Sequence, residues 1–164
     1  MTTINTAMVH AKRDEMMELR KTVSTVQTSY EQQAHRRIAL QRQLAGILQH
    51  LQDKSRDRFL IEDTIIVTLQ TEQMVKDSRI DIPEKPVFPE NQPQGRTTSA
   101  EEAYQVYTEQ LDLLTQEQAF RSAMEETERT MADIYQRGLE RIVEVVEEFC
   151  TENPLQSHVL EMAA

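Results

Sequence analysis

The residues best equipped for chemistry in this chain are four histidines, one cysteine and two acidic clusters. His10, His35, His50 and His158 are scattered, and no two share a metal-ligand spacing on one helical face. No glutamate is followed three residues on by histidine, so the Glu-x-x-His signature of di-iron bundles is missing. A glycine-rich phosphate loop and a Gly-x-Ser-x-Gly elbow are absent as well. That leaves Glu125-Glu126-Glu128 and Glu144-Glu147-Glu148. Clustered carboxylates hold magnesium when they converge from facing helices. Here most of them lie off the apolar stripe of their own segment, which predicts a solvated acidic face. Cys150 is the single cysteine, which rules out an intrachain disulfide and predicts a small buried thiol near a helix end. The expectation is a protein that is not an enzyme, with no catalytic residue, metal, cofactor or small-molecule substrate.

The elements that position these residues are set by one stretch, residues 81–98, DIPEKPVFPENQPQGRTT. It holds Pro83, Pro86, Pro89 and Pro93, four of the five prolines. Proline lacks a backbone donor, fixes φ, and pushes the residue before it out of the helical region. The stretch therefore predicts an extended connector between two helical arms, residues 1–80 and 99–152. A short helix or tail over 153–164 follows Asn153-Pro154. The predicted fold is all-α: an elongated helical hairpin or bundle with coiled-coil character, the second arm returning against the first. Composition agrees, with 38% hydrophobic residues, 5% aromatic, no tryptophan and three glycines.

In the first arm the apolar residues step by threes and fours through Leu19, Val23, Val26 and Tyr30, then Leu40, Leu44, Ile47 and Leu51. Between these halves the stripe either passes through Gln33 and Arg37 or rotates to Ala34 and Ile38. Polar residues at a seam weaken pairing but fix register. Residues 52–58, QDKSRDR, go almost two turns without a core side chain, so a break falls at 53–58, with Asp53, Ser55 or Asp57 available as a cap. Phe59 to Val75 is the most apolar run. Ile61, Ile65 and Leu69 share a face there, and Phe59, Ile66 and Met74 broaden it, which predicts the best-buried helix of the chain. In the second arm Ser99-x-x-Glu102 forms a capping box. Its stripes are Ala103-Tyr107-Leu111-Leu114 and, after a change of phase, Phe120-Met124 onward to Phe149.

The net charge of −10 is concentrated in one arm. Residues 1–80 carry 12 Lys and Arg against 10 Asp and Glu, residues 81–98 carry 2 against 3, and residues 99–164 carry 4 against 15. Nucleic acid and anionic membranes need a cationic surface, so neither is an expected partner. No apolar run is long enough to span a bilayer, and the first twenty residues lack the apolar centre of a signal peptide. The expected location is soluble, cytoplasmic or inside a protein assembly.

Three known families bear comparison, and none shares a motif with this chain. Prefoldin-like chaperones also have two long helical arms, but β-hairpins fill the centre that is proline-rich here. All-helical nucleotide pyrophosphatases bind magnesium through paired glutamates, in an order these acids do not follow. Phage scaffolding and virion accessory proteins are similar only in their wealth of glutamine and glutamate. The resulting expectation is a structural or assembly subunit of a larger complex, for which a virus particle is one setting. The alternative is an adaptor or chaperone that holds a client between its arms. The partners are other protein subunits in a homo- or hetero-oligomer. The residues expected to meet them are Ile82, Val87 and Phe88 in the connector, Arg36 and Arg37 in the basic patch, and Leu155, Val159 and Met162 at the C-terminal end.

Overall fold

The computed structural model describes residues 3–89 and 99–153. They form three helices, α1 (Thr6–Lys54), α2 (Arg58–Asp77) and α3 (Ala100–Glu152), and no strand occurs among the described residues. Each helix begins where a side chain can satisfy its first free amides. The Met8 amide donates to Asn5 Oδ1 at 3.0 Å, that of Leu60 to Asp57 Oδ1 at 2.9 Å, and that of Glu102 to Ser99 Oγ at 3.2 Å. Ser55, Arg56 and Asp57 separate α1 from α2, and Asp57 is held by its own amide donating to Ser55 Oγ. α2 stops at Ser78, whose hydroxyl and amide both donate to the Val75 carbonyl. Residues 79–89 have no regular secondary structure.

The described residues fall into two compact units. The first draws on Met1–Glu31 and Asp81–Glu125, the second on Gln32–Ile80 and Glu126–Ala164. In the second unit three helical segments enclose a core of Leu44, Ile47 and Leu51 from α1, Leu60 and Val67 from α2, and Tyr135, Leu139, Ile142, Val145, Val146 and Cys150 from α3. Leu44, Leu51, Ile142 and Val146 are almost completely removed from water. Burial of such side chains contributes roughly 1.5–3 kcal/mol each. The first unit pairs one stretch of α1 with one of α3, and buries Met16, Pro86, Ala103, Leu114 and Glu117. Two helices alone bury one stripe each, so Leu19, Val23, Val26, Tyr30, Tyr104, Tyr107 and Leu111 stay half-buried.

The direction of helix pairing in the first unit differs from the hairpin expectation. In the first unit the Lys12 ammonium lies 5.3 Å from the Tyr104 ring centroid, and Arg121 binds Gln27. In the second, Arg37 binds Glu128 and Arg36 binds Asp133. In the first unit the partner numbers rise together, Lys12 with Tyr104 and Gln27 with Arg121, so its stretches of α1 and α3 run parallel. In the second unit α2 runs antiparallel to α3: Asp63 acts on the charge of Arg141, while Glu72, nine residues on, meets Tyr135. An antiparallel pair of helices also opposes its dipoles.

The buried face of α2 differs from the one its apolar residues predict. Leu60, Thr64, Val67 and Thr71 face the core, stepping four, three and four. Phe59, Ile66, Leu69 and Met74 are exposed, and Ile61 and Ile65 are half-buried at the edge. The reason lies on α3. Gly138 leaves no side chain between the two helices, and a Cβ there would stand 2.5 Å from Thr71 Oγ1. Such a close approach admits small side chains and excludes phenylalanine or methionine. The threonine hydroxyls are satisfied by donating to the carbonyls of Leu60 and Val67, at 2.9 and 2.8 Å. Threonine can therefore be buried here without an orphaned polar group.

Candidate interaction surface

Polar layers fix the register of the helices within each unit. In the second unit the Arg37 guanidinium grips Glu128 with two bonds, Nε to Oε2 at 2.8 Å and Nη2 to Oε1 at 3.2 Å. Arg36 Nη1 lies 2.9 Å from Asp133 Oδ1. Tyr135 is 2% exposed and donates to Glu72 Oε2 at 2.9 Å. Burial, and then the neighbouring Glu72 carboxylate, push its phenol up to about 12. In the first unit Glu117 is buried, accepts from Arg121 Nε at 2.7 Å, and Arg121 reaches on to Gln27. Leu114, Glu117, Arg121 and Met124 follow one another at steps of three, four and three, with the two charged side chains between the apolar ones. Sequence reasoning passed over Glu117 because it is charged; the unbroken spacing was the available signal.

The acidic clusters do not converge across helices. Glu128 is taken by Arg37, while Glu144 and Glu148 flank Arg141 on the outside of α3 at 2.9 and 3.8 Å. Glu144, Glu147, Glu148, Thr151 and Glu152 line an open depression along that one helix. Among the described residues no group of three or more histidine, cysteine or acidic side chains is arranged to hold a metal ion. His10 and His35 are exposed and His50 half-buried on α1, and Cys150 belongs to the apolar core.

What the described residues do present is apolar surface. No family model, curated protein or solved structure matches this chain. Its surface must therefore be read from its own geometry. Phe59 is 77% exposed, Leu69 64%, and Ile66 and Met74 50% each, all on α2. In residues 79–89 Val87 is 86% and Ile82 45% exposed. Scattered single apolar residues are ordinary on a surface, but Phe59, Ile66 and Leu69 share the side of α2 away from its core, and Met74 is exposed beside the core face.

The residues singled out for partners divide three ways. Ile82 and Val87 are exposed, and Phe88 is half-buried beside the buried Pro86. Arg36 and Arg37 bind acids of α3 in their own chain, the role that the acidic second arm offered them. Leu155, Val159 and Met162 lie outside the described residues. No helix among the described residues is long and apolar enough to cross a membrane.

Proposed function

We propose that this protein is a non-enzymatic structural or assembly subunit that joins other protein subunits through its helices and through the proline-rich connector. The observation that carries this reading is the set of exposed apolar side chains on two separate elements, Phe59, Ile66, Leu69 and Met74 on α2 and Ile82 and Val87 after it. An apolar side chain held in water gives up stabilisation that a partner surface would restore. The three-four spacing through Leu114, Glu117, Arg121 and Met124 supports coiled-coil-like pairing of α1 with α3, with Glu117, Arg121 and Gln27 as its register-setting layer. In the connector, Pro86 and Phe88 turn inward while Val87 points out, the alternation by which an extended peptide holds its own base and offers one side chain to a groove.

A tagged chain recovered from the cells that make it should elute with defined partner subunits in stable proportion. Ile82→Ser and Val87→Ser together should reduce that association while leaving the helical circular dichroism unchanged. A chain that elutes alone at its own 19.1 kDa in every extract contradicts the reading.

A further inference from the structure

The exposed side of α2 carries a heptad seam that its core-facing side does not use. Phe59, Glu62, Ile66, Leu69, Gln73 and Lys76 follow one another at steps of three, four, three, four and three, and all six are exposed. That is the spacing by which one helix keeps a single edge toward another. We propose that this seam binds the same seam of a second copy of the chain, as an antiparallel α2–α2 pair about a two-fold axis. This names the partner of one surface used by the assembly reading, and rests on that reading.

Self-complementarity selects both the occupant and the direction. In an antiparallel pair the register that sets Ile66 opposite Leu69 of the second copy also sets Glu62 opposite Gln73 and Phe59 opposite Lys76. The centre is then apolar, the next layer pairs a carboxylate with an amide donor, and the ends set a cation near an aromatic face. Each layer occurs twice, since a two-fold contact repeats itself. In a parallel pair each of these seam residues would meet its own copy, placing Glu62 against Glu62 and Lys76 against Lys76. The intrachain partners are local and exposed: Arg58 Nε lies 3.2 Å from Glu62, and Gln73 donates to Asp77 at 2.9 Å. Each can be exchanged without disturbing the core. α2 also carries 2 basic against 4 acidic residues, whereas α3 carries 4 against 14, so α2 is the better place for two acidic chains to meet.

The size of the seam bounds the affinity. Twenty helical residues extend about 30 Å, and a surface one helix wide falls below the roughly 800 Å² per partner of a standard interface. A dissociation constant on the order of 1–100 µM is therefore expected. Sedimentation equilibrium of the full chain, from about 1 to about 300 µM, should show the mass rising from 19.1 kDa toward twice that value. Added salt should leave the association intact or tighten it, because it screens repulsion between two chains of net charge −10.

Leu69→Asp, at a site 64% exposed, should keep the fold by circular dichroism and hold the chain monomeric. Gln73→Lys should tighten the dimer roughly threefold to tenfold, as it sets a cation against Glu62 of the other copy in both layers, and adding Glu62→Lys should reverse the gain. A wild-type chain of 19.1 kDa throughout overturns the proposal. So does a dimer indifferent to Leu69→Asp, although the assembly reading would then survive through another face. Weaker pairing on Gln73→Lys alone would mean parallel helices, with Gln73 facing its own copy, and would overturn the register.

Discussion

Replacing Gly138 with alanine tests the close contact that turns α2 away from its apolar side. In a helix interior alanine is favoured over glycine by about 1 kcal/mol, so the substitution would ordinarily stabilise. Here the new Cβ would stand 2.5 Å from Thr71 Oγ1, 2.8 Å from Cγ2 and 3.2 Å from Cβ. Rotating Thr71 to relieve the clash gives up the bond from its hydroxyl to the Val67 carbonyl. The helices must part instead, at an overpacking cost of roughly 1–3 kcal/mol. The net expectation is a loss of about 1 kcal/mol, reaching ~2 where the helices cannot adjust. Gly46 is the internal control: a Cβ there meets nothing within 4 Å, so Gly46→Ala should gain about 1 kcal/mol. In a Thr71→Ala background, where Oγ1 and Cγ2 are gone, Gly138→Ala should become neutral or stabilising, a coupling on the order of 2 kcal/mol. Urea denaturation followed by far-ultraviolet circular dichroism measures all of these. If Gly138→Ala stabilises as much as Gly46→Ala, the two helices are not in tight contact and the account of α2 fails.

Three further expectations follow from burial and charge. Ile142→Ala, at a fully buried site, should cost about 2–5 kcal/mol, whereas Phe59→Ala should change stability by less than about 0.5 kcal/mol; comparable losses in urea would place Phe59 in the core. Tyr135 is held protonated to about 12 in the folded chain against 10.0 for a free phenol, so its contribution is intact below pH 10 and disappears as pH rises through 12. Tyr135→Phe should flatten that part of the stability profile, by at most about 2–3 kcal/mol, and an unchanged alkaline profile would contradict the phenol's burial against Glu72. Arg37 and Glu128 form a partly buried bidentate pair, so the two alanine variants should be non-additive by about 0.5–3 kcal/mol; additive losses would mean the pair does not bind in solution.

The helical class was legible because spacing and composition act locally. Leu44, Ile47 and Leu51, and Ile134, Leu139, Ile142 and Val146, stand on their predicted stripes and are buried. What the sequence hid depends on contacts between helices. Nothing in the hydropathy of residues 59–75 favours Thr64 and Thr71 over Ile66 and Leu69; the choice is made by Gly138, more than sixty residues away. The parallel order of α1 and α3 in the first unit was hidden for a related reason. Lys12 and Gln27 could meet the second arm in either direction, and only their contacts with Tyr104 and Arg121 decide it. Glu117 shows the limit of an apolar filter, since its spacing fits the seam and its charge does not.

The central claim is that the exposed apolar side chains of this chain are surfaces for other subunits. The most direct measurement is the molar mass, by light scattering coupled to size exclusion, of tagged protein isolated from its own cells under gentle conditions. The account predicts a mass well above 19.1 kDa, reduced when Leu69→Asp is combined with Ile82→Ser and Val87→Ser at unchanged helicity. A mass of 19.1 kDa in the wild type, unaffected by those substitutions, would contradict it.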